Sequence, residues 1–132
     1  MDPRQPLSIR FMYGSALAVQ GFDAFAFIMT SSIVIPKQSE LAHPLTRFWM
    51  RVTGASFLPF VLNCWWLRKH HIRHSRVGFI VGSCFFLHNA GLAALYIWSA
   101  IEAGEYTIQP LWYAAGWRGV WAIWSMWGLL AA

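Results

Sequence analysis

Four apolar stretches, separated by short polar or charged connections, set the pattern of this 132-residue chain. They lie at about 11–35, 48–67, 77–101 and 108–130. Each is close to the ~20 residues that a helix needs to cross a hydrocarbon core of ~30 Å. Unpaired backbone groups are too costly in lipid, and four such segments cannot close a barrel. The pattern therefore predicts four transmembrane α-helices.

These helices are expected to form one domain over residues 1–132, an all-α integral membrane four-helix bundle. The connections are short, so successive helices should be antiparallel neighbours in an up-down-up-down arrangement. Composition agrees with a membrane protein, because only 11% of the residues are charged and 58% are hydrophobic. A soluble domain normally carries about 25% charged residues.

Basic residues indicate which way the bundle faces. One side carries six of them: Arg4, Arg10, Arg68, Lys69, Arg73 and Arg76. The other side carries three, Lys37, Arg47 and Arg51. The positive-inside rule then predicts that both termini are cytosolic. We expect a multi-pass protein of the endoplasmic reticulum membrane.

The same distribution bears on partners and cofactors. The formal net charge is +5, but the basic residues form short runs between apolar segments. That placement is typical of topology signals and lipid-headgroup contacts, so membrane lipids are expected partners and nucleic acids are not. Cys64 and Cys84 form no CxxC motif and have no zinc-ligand spacing, so no disulfide, metal or cofactor is predicted.

Ionisable side chains at membrane depth are rare and expensive, and they usually face the bundle interior. Asp23 lies near the middle of the first segment. Arg118 lies about ten residues into the fourth segment, which places it ~15 Å deep. Two opposite charges at one depth are expected to pair, because either one alone would be an uncompensated buried charge. His88 and Asn89 of the third segment lie ~16–18 Å deep.

Asp23, Arg118 and His88 are therefore the candidate catalytic residues. The polar and aromatic residues expected to line a substrate pocket around them are Gln20, Ser56, Asn63, Asn89, Glu102, Trp117 and Trp121. An alternative remains open for the whole group, since buried polar residues can simply hold helices together through interhelical hydrogen bonds.

Aromatic and small residues of the fourth segment allow more than one interpretation. Trp117 and Trp121 either face lipid or line an apolar pocket, whereas Tyr113 is assigned to an interfacial aromatic belt. Gly116 and Gly119 flank Arg118 and should let another helix approach closely.

The FDAFAF stretch around Asp23 and the GWRG stretch around Arg118 occur in a chain of four short-looped helices. In this the chain resembles small fungal four-helix membrane proteins encoded among secondary-metabolite biosynthesis genes. Some of those proteins are regarded as epoxide hydrolases or cyclases acting on polyene polyketides. The resemblance covers most of the chain. It implies an enzyme without a cofactor that opens an epoxide of a lipophilic polyketide or terpenoid.

Epoxide opening needs an acid for the leaving oxygen and a base to activate water or an internal hydroxyl. The alternative function is a non-catalytic scaffold or accessory subunit that anchors partner enzymes or carries a lipophilic intermediate. An enzyme would need Asp23 to border a cavity, whereas a structural pair would be sealed. A proton-coupled transporter is less favoured, because four helices leave little room for alternating access without an oligomer. Assembly into a homo-oligomer stays open.

Overall fold

Four α-helices make up the regular structure in the computed structural model, which describes residues 3–29, 43–103 and 111–132. They are α1 (Leu7–Met29), α2 (Pro44–Trp66), α3 (Arg76–Ala103) and α4 (Leu111–Ala131). No strand occurs in those ranges. The predicted all-α class and the number of helices are confirmed.

Two helices begin four residues earlier than their apolar patterns indicated. The Pro6 carbonyl accepts hydrogen bonds from the backbone N–H groups of Ile9 and Arg10, both at 3.1 Å, so α1 is ordered from Leu7. α2 starts at Pro44, a residue that suits the first helical position because it needs no donor there. The predicted end of the first helix at 35 and start of the fourth at 108 lie outside the described residues.

The helices pack as two pairs, α1 with α2 and α3 with α4, and α1 also contacts α4. Gly54 brings the α2 backbone close to α1, since a Cβ there would lie only 2.8 Å from the Cβ of Phe27. Ile9 lies beside Gly128 at one end, and Asp23 pairs with Arg118 further along, so α1 and α4 are antiparallel. Tyr13 of α1 also packs edge-on to Phe85 of α3, with ring centroids 5.1 Å apart.

The connection between α2 and α3 is folded against the bundle. Its central residue, Ile72, is completely buried, and its backbone N–H donates to Gln5 Oε1 at 2.9 Å. Glycines make room for it: a Cβ on Gly78 would collide with the His71 carbonyl, and one on Gly82 would collide with the Ile72 side chain. The connection therefore closes one end of the bundle instead of extending into solvent.

Large apolar side chains cover the outside of all four helices. Phe11, Trp49, Trp98 and Ile123 are each more than half exposed. Soluble monomers rarely expose apolar patches of more than a few hundred Å². Two helical stretches, Leu7–Met29 and one spanning 76–102, are long and apolar enough to cross a membrane.

Candidate functional site: a buried ion pair with a tyrosine at its edge

The centre of the site is an ion pair between α1 and α4. Arg118 Nη2 donates to Asp23 Oδ2 at 2.8 Å, and neither side chain is exposed to solvent. Arg118 also donates through Nη1 to the Ala114 carbonyl one turn earlier, at 3.1 Å. The pairing that matched depths predicted is therefore present. Its geometry fixes the guanidinium in one orientation toward the carboxylate.

Tyr113 is a member of this site that the sequence did not reveal. Its hydroxyl donates to Asp23 Oδ1 at 3.3 Å, so the two oxygens of the carboxylate have different partners. The Tyr113 side chain is partly exposed, unlike Asp23 and Arg118. A phenol thus links the buried carboxylate to the surface of the bundle.

Two further aromatic rings surround the guanidinium. The centroid of the Tyr96 ring lies 5.2 Å from Arg118 Cζ, and that of Phe57 lies 6.0 Å from it. Cations are attracted to the faces of such rings within about 6 Å. Phe57 comes from α2 and Tyr96 from α3, so side chains of all four helices meet around Arg118. Its Nε atom has no hydrogen-bond partner among the described residues.

Gln20 and Asn89 form a separate polar contact, one turn along α1 from Asp23. Gln20 Nε2 donates to Asn89 Oδ1 at 2.9 Å, and Asn89 Nδ2 donates to the Phe85 carbonyl at 2.9 Å. Both side chains are buried. The Asn89 amide is therefore hydrogen-bonded to Gln20 and to its own helix.

His88 lies between α2 and α3, within an aromatic slot. Its ring stacks on Phe60 with centroids 4.2 Å apart and meets Phe57 edge-on at 6.0 Å. His88 Nε2 is buried and has no hydrogen-bond partner among the described residues. Phe57 contacts both His88 and Arg118, so it connects the slot to the ion pair.

Two expected lining residues lie elsewhere. Ser56 and Asn63 are exposed on the outside of α2, and the Ser56 hydroxyl donates to the Thr53 carbonyl at 2.7 Å. Ser56 is expected near the middle of the second segment and Asn63 nearer its cytosolic end, but position along a helix does not determine which side of the helix a residue occupies. The expectation that they line a pocket around Asp23 is therefore wrong for this arrangement of α2.

The remaining candidates divide between core and surface. Trp121 is fully buried, and its Nε1 donates to Ser15 Oγ at 3.1 Å, which ties α4 to α1. Trp117 packs against it with ring centroids 5.5 Å apart and is partly exposed. Glu102 is exposed near the end of α3.

The expected close approach at Gly116 and Gly119 is wrong. Among the residues that the structure describes, a Cβ on either glycine would meet no side chain, and no backbone of another element, within 4 Å. The described glycines that do permit close packing are Gly54, Gly78, Gly82 and Gly128.

Comparison with known proteins found no matching family model, curated protein or solved structure. The chemistry of the site is therefore inferred from its own contacts.

Proposed function

We propose that the chain is a multi-pass membrane protein in which all four helices cross the bilayer up-down-up-down, with both termini in the cytosol. This proposal is supported by α1 and α3, which are long and apolar enough to cross a membrane, and by the exposed apolar side chains of α2 and α4. The α2 helix exposes Trp49 and Leu58, and α4 exposes Ile123 and Trp127. The six-to-three bias of basic residues supports the orientation. The endoplasmic reticulum membrane is the proposed location.

We further propose that the protein opens an epoxide of a lipophilic polyketide or terpenoid. The observation that carries this proposal is the hydrogen bond from the partly exposed Tyr113 phenol to the buried, Arg118-paired carboxylate of Asp23. A substrate would meet Tyr113 and need not reach the carboxylate itself. Asp23 would act as the base through that phenol, and Arg118 would orient the carboxylate.

The proposed reaction returns every proton it moves. Water, or a hydroxyl of the substrate, gives its proton to Tyr113 Oη as the Tyr113 proton passes to Asp23 Oδ1. The nucleophile's oxygen forms a bond to an epoxide carbon while the carbon–oxygen bond of the ring breaks. The resulting alkoxide then takes the proton back from Asp23 through Tyr113. A positioned acid or base of this kind typically contributes about 10²–10⁴-fold to rate.

In this proposal the apolar part of the substrate lies against the aromatic rings beside His88. Phe57 and Phe60 supply aromatic surface, and the unpartnered His88 Nε2 is able to hydrogen-bond an epoxide oxygen or a water molecule. Apolar pockets with a few polar groups commonly fix ligands in this manner. His88 is accordingly proposed as a positioning residue.

The experiment compares Tyr113→Phe and Asp23→Asn with the wild type, reconstituted in lipid and supplied with a panel of lipophilic epoxides. Turnover should fall by at least ~10²-fold in both variants while each remains folded. Tyr13→Phe is the matched control, because it removes a phenol hydroxyl from the core away from the ion pair. Wild-type turnover in folded Tyr113→Phe would contradict the proposal.

A non-catalytic scaffold or carrier is the second candidate, and one observation favours it. Asp23 and Arg118 are both completely buried, as expected of a pair that only holds α1 against α4. In that case no epoxide of the panel would be consumed by the wild type. Tyr113→Phe would then leave binding of a partner enzyme or lipophilic intermediate unchanged, whereas Asp23→Leu or Arg118→Leu would weaken it by destabilising the bundle.

A further inference from the structure

The outer face of α2 carries a shallow groove of about 410 Å³, in the half of the helix nearer the basic connection between α2 and α3. Its lining residues all belong to α2 and follow helical spacing: Ala55, Leu58, Pro59, Leu62, Asn63 and Trp66. They point outward, and Leu58 and Leu62 are each about 40% exposed. The groove is therefore a surface that neighbouring molecules can reach.

Two polar groups stand out in this apolar lining. Pro59 has no N–H, so the Ala55 carbonyl lacks the donor that the next turn of a helix would supply. The Asn63 side chain is exposed, and Asn63 lies ~6 Å along the helix axis from Leu67, the residue that caps α2. In a bilayer, ~6 Å is about the thickness of the headgroup layer on one side. Asn63 would thus lie where headgroups meet acyl chains.

Two basic residues, Arg68 and Lys69, follow Trp66, the last lining residue of the groove, along the chain. Arg68 lies flat on the Trp65 ring, with Cζ 3.7 Å from the ring centroid, and its Nη1 donates to the Trp65 carbonyl at 2.8 Å. Lys69 follows it and is exposed. Along the chain, the apolar lining is followed by an exposed amide and then by two cations, which is the order of groups in a phospholipid with an anionic headgroup. Anionic lipids are attracted to such basic segments by ~1 kcal/mol per Lys or Arg.

We infer that this groove binds one anionic phospholipid. An acyl chain lies along Leu58 and Leu62, Asn63 donates to an ester oxygen, and the phosphate contacts Arg68 and Lys69. The inference rests on the proposed membrane insertion and is independent of the proposed catalysis. A basic end that attracts lipid only by its total charge would have no need of Asn63.

The test uses the full chain in neutral detergent, with phosphatidylglycerol or phosphatidylcholine of the same acyl chains added and retention measured by native mass spectrometry. We expect the wild type to retain phosphatidylglycerol preferentially. Asn63→Leu leaves the net charge unchanged and should weaken that retention about fivefold, the value of one net hydrogen bond. Ala55→Trp should abolish it by filling the groove.

Two controls separate a built site from general attraction. Arg76→Gln removes an exposed charge at the same end of the bundle, on α3, and should change retention by less than twofold. Ala94→Trp adds the same bulk at an exposed position of α3 and should have no effect. Both substituted positions are exposed in the structure.

Other outcomes would overturn the inference. If Arg76→Gln weakened retention while Asn63→Leu did not, the lipid would be held only by the overall charge of that end. If Ala55→Trp left retention intact and dissociated an oligomer, the groove would bind a second copy of the chain. Turnover of epoxides and resistance to carbonate extraction are measured on the same variants. A failure of the lipid site is thereby distinguished from a failure of the proposed catalysis or membrane insertion.

Discussion

Breaking the Asp23–Arg118 pair from one side should be more harmful than replacing both residues. Arg118→Leu leaves a carboxylate and Asp23→Leu leaves a guanidinium in a site with no solvent exposure. Removing one partner of a buried pair costs ~3–5 kcal/mol, because the other charge remains without compensation. We therefore expect each single variant to lose ~3 kcal/mol of unfolding free energy.

The double variant, Asp23→Leu with Arg118→Leu, contains neither charge. Replacing a buried pair with apolar residues is often neutral, although here the Tyr113 hydroxyl also loses its acceptor. We expect a loss of ~2 kcal/mol or less, instead of the ~6 kcal/mol that additive effects would give. Unfolding by dodecyl sulfate in mixed micelles, followed by tryptophan fluorescence, measures the three variants on one scale.

A second cycle on Gln20 and Asn89 is the matched control. That pair is also buried, but it is neutral and shares one interhelical hydrogen bond at 2.9 Å. Its coupling should be ~1 kcal/mol. If the losses at Asp23 and Arg118 added to within ~0.5 kcal/mol, the two charges would not be interacting and the electrostatic reasoning would be refuted.

Three further predictions concern orientation and the connection between α2 and α3. A protease-sensitive tag at either terminus should be accessible from the cytosol; a luminal C-terminal tag on a chain with α4 inserted would contradict the orientation. Burial, together with His74 and Arg73, lowers the pKa of His71 in the folded protein. The unfolding free energy should therefore have its full value above pH ~6.5, the pKa of an unfolded histidine, and should decrease as the pH falls below it. His71→Asn keeps an acceptor for the Arg73 N–H and should flatten that dependence in the same unfolding assay. Gly78→Ala should cost ~1–3 kcal/mol, because its Cβ collides with the His71 carbonyl. Gly91→Ala should be neutral or stabilising, because its Cβ meets no described atom outside its own helix within 4 Å; equal effects would contradict the packing described.

Depth along a helix could be predicted from the sequence, but direction around the helix could not. Counting residues correctly brought Asp23 and Arg118 to one level, and burial cost then required them to meet. The same count gave no means of knowing that Ser56 lies on the outside of α2. His88 and Asn89 are adjacent, so they point ~100° apart on a helix and cannot both face one partner. The structure assigns one to an aromatic slot and the other to Gln20.

Tyr113 was missed for a related reason. It precedes Arg118 by five residues, which places the two side chains well apart around α4. They converge only because Asp23 offers a separate oxygen to each of them. A tyrosine near a helix end is also the residue expected in an interfacial belt, so nothing in the local pattern distinguished it.

The folded connection between α2 and α3 did leave a signal. Ile72 is the single apolar residue within the basic RKHHIRHSR run, and Gly78 and Gly82 follow it at the four-residue spacing of a small-residue packing motif. That motif ordinarily indicates a contact between two helices. Here the two glycines pack against residues of the connection, His71 and Ile72.

The separation of the two charges along the chain has a consequence for the order of synthesis. Asp23 precedes Arg118 by 95 residues. At ~5–20 residues per second, the ribosome needs ~5–20 s to produce the partner after the carboxylate has been made. In a chain inserted as proposed, the first hairpin enters the membrane before the Arg118 partner of Asp23 has been made. A product truncated before α4 would lack Arg118 and its ion pair permanently, which distinguishes an unfinished chain from a complete one for membrane quality control.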